Sequence, residues 1–266
     1  ACKRECPTGV DMARMKIEVT ALRTEAKGLS FHDWLVAHLP RYAPYMAAMA
    51  PIIRLRDIIP GAAWLSEKLT GFTARRPLPR WQRRWFRDNE LPQTPNKGVK
   101  STSEKLPLLL FIDSFNRYFE PENLRAAIRV FQATDYDVFV PSPTDNGRPL
   151  CCGRTYLSTG LIDRARDEAG RLAKTLAPFA RAGIPIVGLE PSCTLALRDE
   201  IPALLNNQDA KDVASATFTF EELLARDKPS LSFRSNKSKA LLHGHCHQKA
   251  FDAVQPIEEV LSWIDG

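Results

Sequence analysis

With 266 residues, 44% of them hydrophobic and 26% charged, the chain can build one large or two modest soluble domains around a packed core. No apolar run approaches the roughly 20 residues that span a bilayer; the longest, Leu106–Ile112, contains Pro107, and no signal peptide heads the chain. Residues 1–105 hold 19 Lys and Arg against 10 Asp and Glu, a balance of +9, so the net charge of +6 belongs to the first part alone.

Residue 1 is Ala rather than Met, which reads as a fragment or a processed product. Six cysteines are too few for the disulfide scaffold of a chain this long, and Cys151 and Cys152 are adjacent, which disfavours a mutual disulfide. Metal-bound or redox thiols in a cytoplasmic setting fit better.

The elements follow in chain order. Residues 8–39 read as helical: Met12, Met15, Val19 and Leu22 recur at helical spacing, and an amphipathic stretch from Leu29 to Leu39 follows Gly28. Pro40, Pro44, Pro51 and Pro60 then punctuate short helices. The Arg- and Trp-rich segment Ala74–Asp88 has three readings: a loop packed on its own protein, a docking surface for an anionic membrane or a partner domain, or a nucleic-acid contact. No nucleic-acid module accompanies it, so nucleic acid is not an expected partner. Leu91–Lys105 reads as a linker.

From Leu106 the texture becomes that of an α/β domain with a mostly parallel sheet and flanking helices. Expected strands are Leu106–Asp113, Tyr136–Pro141, Ile184–Leu189 and one opening at Ala240–Leu242. Expected helices are Pro121–Thr134, Ser158–Ala182 stopped by Gly183, Leu195–Leu205 and Phe218–Ala225. The division is residues 1–100, a helical basic segment, and residues 101–266, the α/β domain. Cys151–Cys152, Cys193 and Cys246 each follow an expected strand, so they could converge on the carboxyl rim of the sheet, where ligands gather in open α/β folds.

Three motifs carry chemistry. Cys2-Lys-Arg-Glu-Cys6-Pro7 matches the C-x3-C-P tail of the bacterial ferredoxin run, whose soft thiolates hold iron–sulfur clusters. Cys151-Cys152-Gly153 pairs two thiols with a glycine that lets backbone approach a cluster, and Gly188-Leu-Glu-Pro-Ser-Cys193 places another on a strand-end loop. In His243-Gly-His245-Cys246-His247, zinc competes with iron–sulfur ligation; on an extended segment the histidines would share one face and Cys246 the other. No nucleophile or general base stands out as catalytic.

CKRECPTGVDMARMKIE, SFNRYFEPENLRAAIRVF, CCGRTYLSTGLIDRAR, PIVGLEPSCTLALRDE and HGHCHQKAF together resemble the iron–sulfur portion of FAD-linked oxidases of the D-lactate dehydrogenase and glycolate oxidase iron–sulfur subunit type. The later part resembles the cysteine-rich CCG domain shared with heterodisulfide reductase. The resemblance implies an oxidoreductase component, inactive alone, relaying electrons from the FAD of a flavin-binding domain or subunit to a quinone or other acceptor. It implies [4Fe-4S] clusters on Cys2, Cys6, Cys151, Cys152, Cys193 and Cys246, and a cytoplasmic location with room for peripheral contact with the inner face of the cell membrane. Cys2 and Cys6 would serve ferredoxin-type clusters; Cys151, Cys152 and Cys193 would form a first CCG repeat, and Cys246 would open a truncated second. Where a full first repeat has a cysteine after its first strand, this chain has Asp113-Ser114. The alternatives are thiol–disulfide chemistry at the cysteine rim and a zinc-stabilised interaction module.

Overall fold

The computed structural model describes residues 7, 9–91, 93–94, 105–143, 145, 147–235 and 239–265. Cys2 and Cys6 lie outside the described residues, as does most of the expected linker.

The sheet is built from β2 (Leu106–Phe111), β3 (Tyr136–Pro141), β4 (Ile186–Gly188) and β5 (Thr217–Thr219), all parallel, with β1 (Gln93–Thr94) adding a short parallel pairing outside β3. The order is β1-β3-β2-β4-β5. The pleat sends alternate side chains of β2 to opposite faces. Leu109 and Phe111 join a core beneath α10 (Ile162–Arg181), while Leu108 and Leu110 join one beneath α8 (Pro121–Gln132) and α14 (Phe220–Asp227). A strand buried on both faces has no polar side to alternate, which is why LPLLLF reads as a continuous apolar run.

The helices follow from the same logic. In α8, Leu124, Ala127, Ile128 and Phe131 recur on one face and are buried, with Pro121 in the first turn. In α10, Ala169, Ala173 and Ala177 join the core with Leu109 and Phe111, and Ala165 packs beside Tyr156 and Leu157. It ends where Gly183 takes φ +75°, as its position predicts.

Ahead of the sheet come α1 (Met12–Lys27), α2 (Phe31–Ala37), α3 (Leu39–Ala48), α4 (Ala50–Ile53), α5 (Leu55–Ile58) and α6 (Ala62–Thr70). They attach through α9 (Arg154–Ser158) and the turn after it, and α3 also packs Ala43 and Ala47 against Tyr118 and Phe119. Thr155 Oγ1 donates to Ala37 O at 3.0 Å, Arg41 Nε to Tyr156 Oη at 3.1 Å, and Thr24 Oγ1 to Thr159 O at 2.9 Å. Gly160, at φ +80°, lies under α1 so closely that a Cβ there would stand 2.7 Å from Thr20 O. Only glycine permits that contact.

The Arg- and Trp-rich segment packs on its own protein. Trp81 packs against Phe119 with the rings tilted and their centres 4.2 Å apart, Phe86 is fully buried, and the Gln82 and Phe86 amides donate to Tyr118 O and Arg117 O at 2.9 Å.

Three expectations need correction. The fourth strand is β5, which overlaps the start of the stretch Phe218–Ala225 read as helix, and residues 239–245 are irregular with Leu241 fully exposed. Thr217 and Thr219 turn inward on β5, and Thr219 then caps α14, so a short strand runs straight into its helix. The helix expected over Ser158–Ala182 begins only at Ile162: Ser158 closes α9, and the chain turns at Gly160 before α10. The stretch read as a helix over Leu195–Leu205 breaks at Leu197–Asp199 into α11 (Pro191–Ala196) and α12 (Glu200–Leu205). Between α12 and β5 the chain adds α13 (Gln208–Ala216), and it ends in α15 (Cys246–Ala250) and α16 (Gln255–Ser262).

Candidate cysteine centre

From β2 the chain moves one way, to β3; from β4 it moves the other way, to β5. The carboxyl ends of β2 and β4 therefore flank the point where the winding reverses, the crevice where α/β sheets take their ligands. Asp113 stands just past β2; Glu190 and Cys193 stand just past β4, and Cys151–Cys152 come in on the loop after β3.

Each group is held by local backbone logic. Asp113 is 1% exposed and caps α7 (Ser114–Tyr118), accepting from Asn116 N and Nδ2 at 2.8 Å each. Burial, partly offset by those bonds, pushes its carboxyl up. Glu190 is extended, as its place before Pro191 requires, and accepts from Ser192 Oγ at 2.7 Å. Gly153, at φ +79°, turns the chain from the cysteine pair into α9, and its amide donates to Cys151 Sγ at 3.4 Å. A Cβ there would press on Ala165 O at 3.1 Å and Glu168 Cβ at 3.3 Å.

Cys152 Sγ and Cys193 Sγ are 3.2 Å apart. Cys151 and Cys152 are buried, Cys193 partly so. The Cys151 thiol is pushed well up by its hydrogen bond with Cys152 and by burial. At Cys152 the bond with Cys151 pulls the other way, but the bond with Cys193 and burial win. At Cys193 the bond with Cys152 lowers the pKa, yet burial and the nearby Asp113, Cys151 and Glu190 hold it high. Three thiols and two carboxyls thus lie close together, and burial favours the neutral forms of the thiols and of Asp113.

The donor set suits an iron–sulfur cluster in kind, since all three sulfurs are soft ligands, and in position, at the switch point. It is one thiol short of four. Among the described residues, no group of three or more His, Cys, Asp and Glu is arranged about a point that a metal ion could take.

Cys246 is not part of this group. It is exposed at the start of α15, and the extended arrangement expected for its neighbours is absent: His245 caps α15 and His247 lies within it. Its segment is nonetheless tied to the centre through Arg154, the residue after Gly153. The Arg154 guanidinium donates to Ser192 O at 3.4 Å, pairs with Glu200 at 2.8 Å and meets His247 Nδ1 at 3.0 Å. Burial, then the charge of Arg154, pulls His247 down to about 4, so at neutral pH it is uncharged. One arginine therefore links the Cys151–Cys152, Cys193 and Cys246 segments.

A second hub stands behind Gly153. Glu168, 3% exposed, pairs with Arg148 and with Arg41 at 3.3 Å, while Arg171 fixes the approaching loop through Asp145 at 2.7 Å and Pro149 O at 3.2 Å. Sequence reasoning missed both hubs. A signal for Glu168 was present: it falls on the buried face of α10, in phase with Ala165, Ala169 and Leu172.

No protein-family model and no solved structure matches the chain. Curated proteins do. One subunit of the anaerobic glycerol-3-phosphate dehydrogenase from Escherichia coli K12 is 25% identical over 245 residues, 89% of this chain and 58% of its own length. D-2-hydroxyglutarate dehydrogenase from Pseudomonas putida KT2440 is 25% identical over 258 residues, 94% of this chain and 24% of its own. The Escherichia coli K12 enzyme of that name is 23% identical over 214 residues, 78% of this chain and 20% of its own. The chain thus spans little more than half of the first relative and a quarter or less of the others. It is a relative of dehydrogenase components, one of them a subunit of a larger assembly.

Proposed function

We propose that the chain is the electron-transfer portion of an FAD-linked 2-hydroxyacid dehydrogenase, passing electrons from a flavin-bearing domain or subunit to a quinone or other acceptor. The observation that carries the reading is the meeting of Cys151, Cys152 and Cys193 at the winding reversal of the sheet, in a chain similar to dehydrogenase components. The 2-hydroxyacid class rests on the name of the second relative, since the first is named for glycerol 3-phosphate.

Cys151, Cys152 and Cys193 would hold a [4Fe-4S] cluster, with a fourth ligand from elsewhere; Cys2, Cys6 and Cys246 would serve other clusters. A cluster there supplies one-electron transfer at a potential set by burial and by hydrogen bonds to sulfur. The chain's own part is positional. Gly153 N–H bonds one sulfur, the Glu168 hub fixes the loop bearing two thiols, and the core beneath α10 keeps water from them. A cytoplasmic site beside the membrane belongs to the same proposal, supported by the basic first part and its exposed Trp64, Ile58 and Leu69. Among the described residues no helix is long and apolar enough to cross a membrane.

Anaerobic purification with iron and acid-labile sulfide analysis and EPR tests the reading. We expect iron and sulfide in the native chain, and their loss from this centre in Cys152→Ser and Cys193→Ser with secondary structure kept. Zinc at one equivalent with no labile sulfide would overturn it. The 3.2 Å between Cys152 and Cys193 favours thiol–disulfide chemistry as the second reading. That reading requires a disulfide-reducing activity that Cys152→Ser abolishes. The zinc module gains nothing from His243 and His245, both exposed.

A further inference from the structure

Helix α1 has two faces. Within the helix, Ile17, Thr20, Ala21 and Thr24 are the only residues that are even partly buried, and they meet the body of the protein: Ile17 packs beside Tyr156 and Leu157, Thr20 and Ala21 lie over Gly160, and Thr24 bonds Thr159. On the other side Met12, Met15, Val19 and Leu22 are 55%, 51%, 65% and 67% exposed. Their spacing of three, four and three residues is a heptad seam, with Met12 and Val19 at position a and Met15 and Leu22 at position d. Ile17 and Thr24 then occupy position f, diametrically opposite the seam. The seam therefore points away from Tyr156, Leu157 and Gly160, and on its acidic edge Glu18, Leu22 and Glu25 also line an open cavity with Ile162 and Leu204.

The charges beside the seam say what that helix is. Position g carries Asp11, Glu18 and Glu25; position e carries Lys16 and Arg23. Every g residue is acidic and every e residue basic. In a parallel pair of identical helices, g of one copy meets the following e of the other, so Glu18 faces Arg23 of the second copy and Asp11, which also caps α1, faces Lys16 of the second copy. In an antiparallel pair g would face g and e would face e, setting like charges together. Val at a with Leu at d favours two strands over three.

We propose that α1 is one strand of a parallel two-stranded coiled coil whose partner is α1 of a second copy of this chain. The two bodies then lie on opposite sides of the seam, related by a two-fold axis along it, and the interface closes on itself. The seam from Met12 to Leu22 is shorter than two heptads, in a helix of 16 residues, so association is reversible and concentration-dependent.

Sedimentation equilibrium of the whole chain over a wide concentration range tests this. We expect the mass to rise from that of one 29.9 kDa chain towards twice that value, and Val19→Asp to weaken association tenfold or more. Mixing decides orientation and partner. Glu18→Lys alone and Arg23→Glu alone should each associate poorly, because each opposes like charges across its own dimer. An equimolar mixture of the two should recover dimer, because the two introduced charges then face each other as opposites, and the remaining Glu18 still meets the remaining Arg23. Glu18, Val19 and Arg23 are all exposed, so circular dichroism should be unchanged throughout. A mass that stays at one chain at every concentration overturns the proposal, and so does a dimer indifferent to Val19→Asp or a mixture no better than its components.

Discussion

In β2, Leu108, Leu109, Leu110 and Phe111 are each at or below 1% exposure, whereas Tyr45, Ile52, Ile58, Trp64 and Leu69 on the helices before the sheet are all 60% exposed or more. Both regions are rich in apolar residues at regular spacing. The sheet offers two flat faces that helices cover, so the apolar positions from Leu108 to Phe111 find partners inside the chain, while Leu106 at the start of β2 stays exposed. The short helices of residues 31–70, one opening at Pro51 and another ending before Pro60, bury mostly the alanines Ala37, Ala43, Ala47 and Ala50 and leave larger side chains outside. Apolar periodicity thus reports that a face exists; it does not report that the same chain covers it.

Substitutions can break or sharpen this contrast. The largest effect is expected where the Arg- and Trp-rich segment enters the core: Phe86→Ala should cost about 3–5 kcal/mol, read as a fall in the urea midpoint. A cost near zero would mean that the segment is a loosely held surface loop. Next comes the joint between the regions. Gly160→Ala, strained at φ +80° and pressed on Thr20 O, should cost about 2 kcal/mol and expose α1 to limited proteolysis while the sheet stays protected. Uniform protection would show that α1 does not depend on this contact.

Arg154→Ala should cost about 1–2 kcal/mol, since it leaves the largely covered Glu200 carboxylate with His247, uncharged at neutral pH, as its remaining neighbour. It should also speed maleimide labelling of Cys246 as the α15 segment loosens; unchanged labelling would separate Cys246 from the Arg154 hub. The smallest effect belongs to the exposed helices: Trp64→Ala should change stability by no more than about 0.5 kcal/mol in the isolated chain. A larger loss would mean that the side chain is covered after all.

Much of the α/β core is legible in the residues themselves, and for a physical reason. Tyr136–Pro141 reads as a strand with its observed limits, and Pro121 and Gly183 mark helix ends, because strand burial and helix capping are written in local residue types. β5 is not legible. Three residues carry too little pattern, and their pairing with β4 is a long-range contact. The Ala240–Leu242 stretch, apolar but without a strand to pair with, reads the same way locally and stays irregular.

The feature that bears on function divides along the same line. By itself the sequence determined that these thiols follow the ends of strands: Gly153 closes the loop of Cys151 and Cys152, and Pro191 opens the short helix that carries Cys193. Only the tertiary structure decided which of them meet. The winding reverses between β2 and β4, so the Cys193 loop opens beside Asp113 and against Cys152, while Cys246, no longer at the end of a strand, stands apart and exposed. The charges that hold the loops, Arg154 with Glu200 and Glu168 with Arg41 and Arg148, are about twenty residues from their partners or more, and no local spacing announces them. Local order is set by neighbours in the chain, but convergence is set by the order of strands in the sheet.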